Sequence, residues 1–332
     1  MDTRIDTFAE ISNLSEEMKS SINDLFENGG ILKGKKVKAI CSELSINTEE
    51  LMLLLLPVAE CFARAPISSF DVGAVVRAKA NDRDVCSNLY LGANFEYENL
   101  SLNFSIHAEQ AAVSNAWLNG ESGIESIATS AAPCGHCRQF LYELSGTNQL
   151  PVIIPEKHSK NIIKIDIQTL LPSAFGPEQL GCEQLLMRDN LDVGTFLLNP
   201  LVDDEFVLQV LEQARSSYAP YTKNYAACGI QLKNGSMFFG RYAENVAHNP
   251  SFSAFSSAVS QLAMRSVAKN PLIISQSAES NFASDFASNI KRVVFVENST
   301  LANQKQTAEL LLSNLAKQVV LDYYQMVPKN GK

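Results

Sequence analysis

The sequence predicts an α/β protein with helices layered on a sheet, and it predicts that this unit occurs twice. Three observations carry that reading. From residue 66 onward, short β-rich runs alternate with helical runs, the pattern of helices packed on a sheet. A similar order of elements returns after residue 205. The chain of 332 residues is also too long for one ordinary core and suggests two domains with a smaller appendage.

Residues 1–55 read as a small helical segment. Apolar residues recur at helical spacing (Ile5, Phe8, Ile11, then Met18, Ile22, Leu25, Phe26), and Gly29-Gly30 supplies a stop. The first α/β unit spans 56–155. Runs 72–78 and 89–95 are β-rich and separated by a polar turn. An Ala-rich helix over 107–118 stops at Asn119-Gly120. A strand over 124–130, a helix over 133–144 and a strand at 152–154 complete the unit.

Residues 156–204 read as a linker containing the loop Pro172-Ser173-Ala174-Phe175-Gly176-Pro177. The second unit, 205–332, repeats the first in degenerate form. Ala219-Pro220 stands where Ala65-Pro66 stands, Gly240-Arg241-Tyr242-Ala243-Glu244 where Gly92-Ala93-Asn94-Phe95-Glu96 stands, and Ala258-Val259 where Ala112-Val113 stands. A strand over 292–296 and a helix over 304–315 follow.

Charge and composition narrow the function. With 27 Lys and Arg against 36 Asp and Glu, the net charge of −9 disfavours a nucleic-acid partner, which needs clustered cations to displace counterions. The basic stretch 33–38 reads as a solvated turn. The longest apolar run, 51–59, is broken by Pro57 and is far too short to span a membrane. Five of seven cysteines (Cys41, Cys61, Cys86, Cys182, Cys228) are scattered singly, and the amino terminus shows no signal-peptide pattern. The expectation is a reduced, cytoplasmic protein acting on a small neutral substrate.

Two segments carry the chemistry: His107-Ala108-Glu109 and Pro133-Cys134-Gly135-His136-Cys137. Each falls where a helix should begin. Cys134 and Cys137, three apart, share one face of a first turn, where the helix dipole favours the metal-binding thiolate. His107 supplies a neutral nitrogen. Three protein ligands leave the fourth position of a tetrahedral zinc for water, the arrangement of a catalytic rather than a structural site. Glu109, two residues past a ligand, can reach that water and move its proton without coordinating. His136 should turn away with the helix and reads as an outer support or surface residue. Either segment alone would be weak; together they match the signature of zinc-dependent nucleobase deaminases.

From about residue 62 onward the chain resembles the cytidine deaminase family, in its two-domain homodimeric bacterial branch. The likeness is densest in His107-Ala108-Glu109-Gln110-Ala111-Ala112, Trp117-Leu118-Asn119-Gly120-Glu121 and Pro133-Cys134-Gly135-His136-Cys137-Arg138-Gln139-Phe140. The resemblance implies a three-layer αβα sandwich with a mixed sheet, duplicated into an active and a degenerate copy. It implies one Zn²⁺ per subunit on His107, Cys134 and Cys137. The reaction it implies is hydrolysis of cytidine and 2′-deoxycytidine to the uridines in pyrimidine salvage. Glu109 is then the proton shuttle, helping to add hydroxide at C4, protonate N3 and release ammonia.

The resemblance also assigns a pocket. Asn94, Phe95 and Glu96 match the stretch that binds the sugar; an amide and a carboxylate can together serve a hydroxyl. Phe70 matches the aromatic packed on the pyrimidine, the other reading being an ordinary core residue. Phe175 matches a loop aromatic contributed across the dimer interface, with the same alternative. Ala131 stands where the family pattern has an aromatic, a departure that bears on one wall of the pocket and not on the chemistry. In the second copy Ser253 aligns with His107 and Phe255 with Glu109, and no cysteine follows Cys228. That copy cannot rebuild the site, and Glu244 there reads as structural. Two rival readings are a polynucleotide cytosine deaminase, disfavoured by charge, and a zinc-stabilised assembly protein without turnover, which has no use for Glu109.

Overall fold

A computed structural model describes residues 15–80, 86–145, 149–156, 162–188, 196–266 and 287–329. The amino-terminal segment forms α1 (Glu16–Glu27), β1 (Ile31–Leu32), α2 (Gly34–Leu44), α3 (Thr48–Leu54) and α4 (Leu56–Glu60). Ile5, Phe8 and Ile11 lie outside the described residues, whereas Ile22, Leu25 and Phe26 are buried from α1. Gly29 and Gly30 end α1 with positive φ of 76° and 79°, and the Gly30 amide donates back to the Leu25 carbonyl. Helix α3 opens on a capping box in which Asn47 and Glu50 each accept the other's backbone N–H. Pro57 falls in the first turn of α4, where its missing N–H costs nothing.

The first unit contains β2 (Gly73–Ala78), β3 (Leu89–Ala93), α5 (Ala108–Leu118), β4 (Ile124–Thr129), α6 (Gly135–Ser145) and β5 (Pro151–Pro155). Part of the turn expected between β2 and β3, residues 81–85, lies outside the described residues. Next come β6 (Ile162–Asp166), the single turn α7 (Ile167–Leu170) and β7 (Phe196–Asn199). The second unit contains α8 (Glu205–Arg215), β8 (Ala226–Leu232), β9 (Met237–Arg241), α9 (Ala254–Ser266), β10 (Ile290–Asn298), α10 (Lys305–Leu315) and β11 (Leu321–Pro328).

Two mixed sheets result, with orders β1-β3-β2-β4-β5-β6 and β7-β11-β10-β8-β9. The strings β3-β2-β4-β5 and β9-β8-β10-β11 coincide in pairing: two antiparallel junctions, then one parallel. The duplication read from scattered short matches is therefore a duplication of topology. The stretch between the units supplies one antiparallel edge strand to each sheet, β6 to the first and β7 to the second. Strand β1, within a stretch that reads as helical, pairs with the opposite edge at Tyr90 and Leu89.

Alternation along the strands makes three layers. In β2, Ala74, Val76 and Ala78 face α5 and the core shared by both units, while Val75 faces the core built with the amino-terminal helices. In β10, Val293 and Phe295 face the shared core, while Val294 and Val296 face α8. Helix α5 is buried from Ala108 to Trp117, on all sides, because it lies between its own sheet and the second unit. Its alanines permit close approach. A Cβ at Gly92 of β3 would stand 2.1 Å from the Ala112 nitrogen of α5, and a Cβ at Gly240 of β9 would stand 2.1 Å from the Ala258 nitrogen of α9.

Buried polar contacts join the units. Ser114 of α5 meets Ser257 of α9 at 2.8 Å between hydroxyls. Arg241 lies over the Trp117 ring, 5.2 Å from its centroid, and donates to the Trp117 carbonyl. The fully buried Glu143 of α6 accepts from the hydroxyls of Tyr218 and Tyr221 and from the Val246 amide, all in the second unit. Three donors from one unit on a carboxylate of the other fix their relative placement.

Replacing Gly240 by alanine, far from the predicted zinc ligands, should force α9 off the sheet. Urea unfolding should register a loss of about 1–3 kcal/mol. An unchanged midpoint would contradict the close helix–strand approach.

Candidate active site

The local folding of two helix starts builds the site. The backbone of Ile106 pairs with Phe95 in both directions, at 2.9 and 2.8 Å, and so delivers His107 to the N-cap of α5 in an extended conformation. Cys134 precedes α6, and its carbonyl accepts the Arg138 amide, the first helical bond. Cys137 then sits in the first turn of α6, buried, while Cys134 is exposed. Strand β4 connects α5 to α6, so the two helix starts emerge at one end of the sheet.

His107 Nδ1 lies 3.7 Å from Cys134 Sγ and 3.3 Å from Cys137 Sγ, and all three ligand atoms fall within 4.8 Å of one another. A tetrahedral zinc with bonds of about 2.3 Å to sulfur and 2.0–2.1 Å to nitrogen sets nitrogen–sulfur separations of roughly 3.6 Å. The donor set and its spacing fit the metal. Among the described residues this is the one group of three or more His, Cys, Asp or Glu side chains placed to hold an ion.

Electrostatics at the triangle favour the anion at one sulfur, Cys134, while the hydrogen bond with Cys134 and burial push the Cys137 thiol up. Hydrogen bonding from the Cys137 thiol, then from His107, pulls the Cys134 thiol down to about 3. The same contact with Cys134 raises His107. Glu109, in the first turn of α5, is 4 % exposed, and burial raises its carboxyl above the ordinary range despite a hydrogen bond with the Cys137 thiol.

The outer residues divide. Glu96 is buried, its Oε2 accepting the amides of Ile67 and Ser68 and its Oε1 the Ser68 hydroxyl. Burial pushes this carboxyl up, but those donors outweigh it and hold it below the usual range. Asn94 accepts from the Val72 amide at 2.8 Å and donates to the Phe70 carbonyl at 2.9 Å. Phe95, between them, points the opposite way: it is 2 % exposed, packed edge-on to Tyr97 and covered by Arg64. Phe70 and Phe175 are 59 % and 45 % exposed, so neither is a core residue. The Phe175 carbonyl accepts from Gln139 of α6, which anchors its loop to the helix that carries Cys137. Ala131 is half-buried.

His136 does not turn away from the ligands. Its ring stacks on His107, centroids 5.0 Å apart. Periodicity within α6 does not show which side chains of the neighbouring α5 start lie beside residue 136, and the tertiary packing sets His107 there. Gln110 and Glu143 are two further buried polar side chains, on α5 and α6, to which the motifs assign nothing. A buried glutamate in the apolar stripe Phe140, Leu141, Leu144 was the available signal for Glu143.

The second copy reproduces the frame without the chemistry. Glu244 accepts the amides of Tyr221 and Thr222 and the Thr222 hydroxyl, the same bonds that Glu96 makes one copy earlier. Ser253 Oγ caps α9 by accepting the Ser256 amide, and Phe255 is buried in the first turn. Gln304 and Thr307 precede and enter α10 as Cys134 and Cys137 do α6. None of these four side chains is a zinc-binding nitrogen or thiolate.

A duplicated αβα frame with one histidine–dithiolate triangle and an adjacent buried carboxyl defines a zinc-dependent hydrolytic deaminase. The family model "Cytidine and deoxycytidylate deaminase zinc-binding region" matches residues 45–153, and a second model of that description matches 167–309. A cytidine deaminase of Aliivibrio fischeri is 37% identical over 73% of this chain and 77% of its own length. One of Shewanella halifaxensis is 38% identical over 76% and 81%, and one of Pasteurella multocida 35% identical over 89% and 88%. The chain belongs to the cytidine deaminase family, as a zinc-dependent enzyme that deaminates cytidine.

Replacing Cys134 by serine should lower zinc content from about one ion per chain to near none, since a neutral hydroxyl is a poor zinc ligand. Metal analysis after gel filtration reads this out; full retention would exclude Cys134 as a ligand.

Proposed function

We propose that His107, Cys134 and Cys137 hold the zinc and that Glu109 is the proton shuttle for hydrolysis of cytidine and 2′-deoxycytidine to the corresponding uridines. The observation that carries this reading is the buried Glu109 carboxyl, in the helical turn that His107 caps and bonded to Cys137. Bound zinc supplies an acidified water near neutral pH. Glu109 accepts a proton from the attacking water and delivers it to N3 of the base as the C4–O bond forms. It then takes the proton of the new C4 hydroxyl and passes it to the departing amino group. The carboxyl ends as it began, and cytidine plus water becomes uridine plus ammonia. Burial of Glu109 keeps bulk water from competing for these transfers.

Asn94 and Glu96 hold a sugar hydroxyl in this reading. Each spends part of its capacity on its own chain and keeps the rest. One amide hydrogen of Asn94 goes to Phe70, and Glu96 Oε1 accepts from Ser68 with one lone pair to spare. In the second copy Tyr242 replaces Asn94 and brings its hydroxyl to 3.4 Å from Glu244 Oε1, covering the corresponding acceptor. A grip on the 3′-hydroxyl suits ribose and 2′-deoxyribose equally, because both carry it. Phe95 contributes through the backbone, pairing with Arg64 and Ile106 to align its two neighbours.

Phe70 packs on the pyrimidine and Phe175 completes the pocket of a partner in a homodimer. Their exposure, with that of Ile67 and Leu180, supports the dimer. The net charge of −9 supports a free nucleoside over a polynucleotide substrate. Among the described residues no helix is long and apolar enough to cross a membrane. The role is salvage of pyrimidine nucleosides in the cytoplasm.

Two experiments test the reading. Glu109→Ala should lower kcat about 10²–10⁴-fold, read as the ultraviolet change of cytidine, with zinc content and sedimentation unaltered. Unchanged turnover would remove Glu109 from the mechanism. Glu96→Gln and Glu244→Gln should each cost about 1–3 kcal/mol of stability, by the shared loss of a buried acceptor. Only Glu96→Gln should raise KM for cytidine; equal KM in both variants would leave Glu96 a fastener alone.

A further inference from the structure

A continuous chain of contacts runs from His107 into the second copy. His136 stacks on the His107 ring with 23° between planes. His136 Nε2 lies 3.2 Å from Gln110 Nε2, and that same amide nitrogen lies 3.1 Å from the carbonyl oxygen of Pro250. Gln110 is 2 % exposed and His136 half-buried.

The chemistry of the groups fixes the direction of each bond. A carbonyl only accepts, so the Gln110 atom facing Pro250 is the nitrogen. The second hydrogen of that nitrogen points to His136 Nε2, which must therefore be the unprotonated ring nitrogen. Flipping the Gln110 amide would set its oxygen against the Pro250 carbonyl. Rotating His136 would leave a buried amide hydrogen unpaired. The ring against His107 thus has one orientation.

The Pro250 end is equally fixed. The loop before it is tied to α6, the helix that starts at the cysteines: Asn245 donates to the Gln139 carbonyl at 3.0 Å, and the Val246 amide donates to Glu143 at 3.0 Å. Asn245 and Val246 are buried, and the Asn245 amide donates to Ser251. One loop of the second copy therefore braces α6 from one side and Gln110 of α5 from the other.

We infer that Gln110 and His136 are positioning residues that orient His107 for the metal, anchored on the Pro250 carbonyl of the second copy. The inference rests on the reading of His107, Cys134 and Cys137 as the ligand set. The copy without ligands thereby completes the outer support of the zinc site in the other copy. Residues that orient a metal-bound histidine commonly change metal affinity about 10–100-fold when removed.

The test compares the full-length wild type with Gln110→Ala and with His136→Phe, which keeps a ring on His107 but cannot accept from Gln110. Zinc release to an excess of chromogenic chelator and the visible spectrum of the Co²⁺-loaded protein are the readouts. Release should be about 10–100-fold faster in both variants, with altered Co²⁺ bands, while the metal-free proteins melt at the wild-type metal-free temperature. Wild-type release and an unchanged spectrum in both variants would overturn the inference. If Gln110→Ala destabilises the metal-free protein, the half-buried His136→Phe decides alone. Cys137→Ser is the separate control: wild-type zinc retention and Co²⁺ bands in that variant would refute the ligand set itself, whatever the other two show.

Discussion

Everything at the site depends on burying helix α5 on all sides. A helix buried from Ala108 to Trp117 must have small residues where it meets backbone, and the alanines at 108 and 112 against Gly92 supply them. The same packing leaves only its amino end for function. His107 stands at that end as N-cap and Glu109 in the first turn, so both inherit the rigidity of the helix. A side chain on a buried helix is held more closely than one on a loop, because moving it means moving the core.

The second constraint is the set of buried carboxylates. Glu96 and Glu244 each fasten a loop to the end of a strand by two amides and a hydroxyl. Glu143 fastens one unit to the other. Glu121 accepts from Asn88 and Tyr90, and Asn88 in turn accepts the Gly34 amide, tying the amino-terminal segment to the first sheet. A buried acceptor with several donors loses little on folding, but removing any one partner strands the rest. Such groups specify one arrangement of the parts more than they add to stability. Of these, Glu96 has its counterpart in Glu244, whose fastening bonds are kept where His107, Glu109 and both cysteines are replaced, so this fastening does not need the metal-binding triangle.

Much of the architecture was legible in the sequence. The strands and helices of the first unit lie within a few residues of their predicted bounds, because alternation and helix punctuation are local signals. Aligning Ala258 with Ala112 was enough to set Ser253 opposite His107 and Phe255 opposite Glu109, at the matching starts of α9 and α5. The misses share one cause. Strand β1 is two residues long and exists because Gly30 and Ile31 meet the edge of β3. Strands β6 and β7 lie in a stretch that reads as a linker, and each is made by the free edge of a neighbouring sheet.

The sequence by itself determined the donor set, the carboxyl beside it and the existence of a second copy without them, because each depends on residue type at short spacing. Only the tertiary structure decided what those residues lean on. That Phe95 faces the core while Asn94 and Glu96 bond to the loop 67–72, that His136 stacks on His107, and that Gln110 reaches Pro250 140 residues away all follow from packing between elements distant in the chain. Periodicity within one element carries no information about such contacts. They are fixed by which surfaces must be buried against one another, a property of the assembled fold.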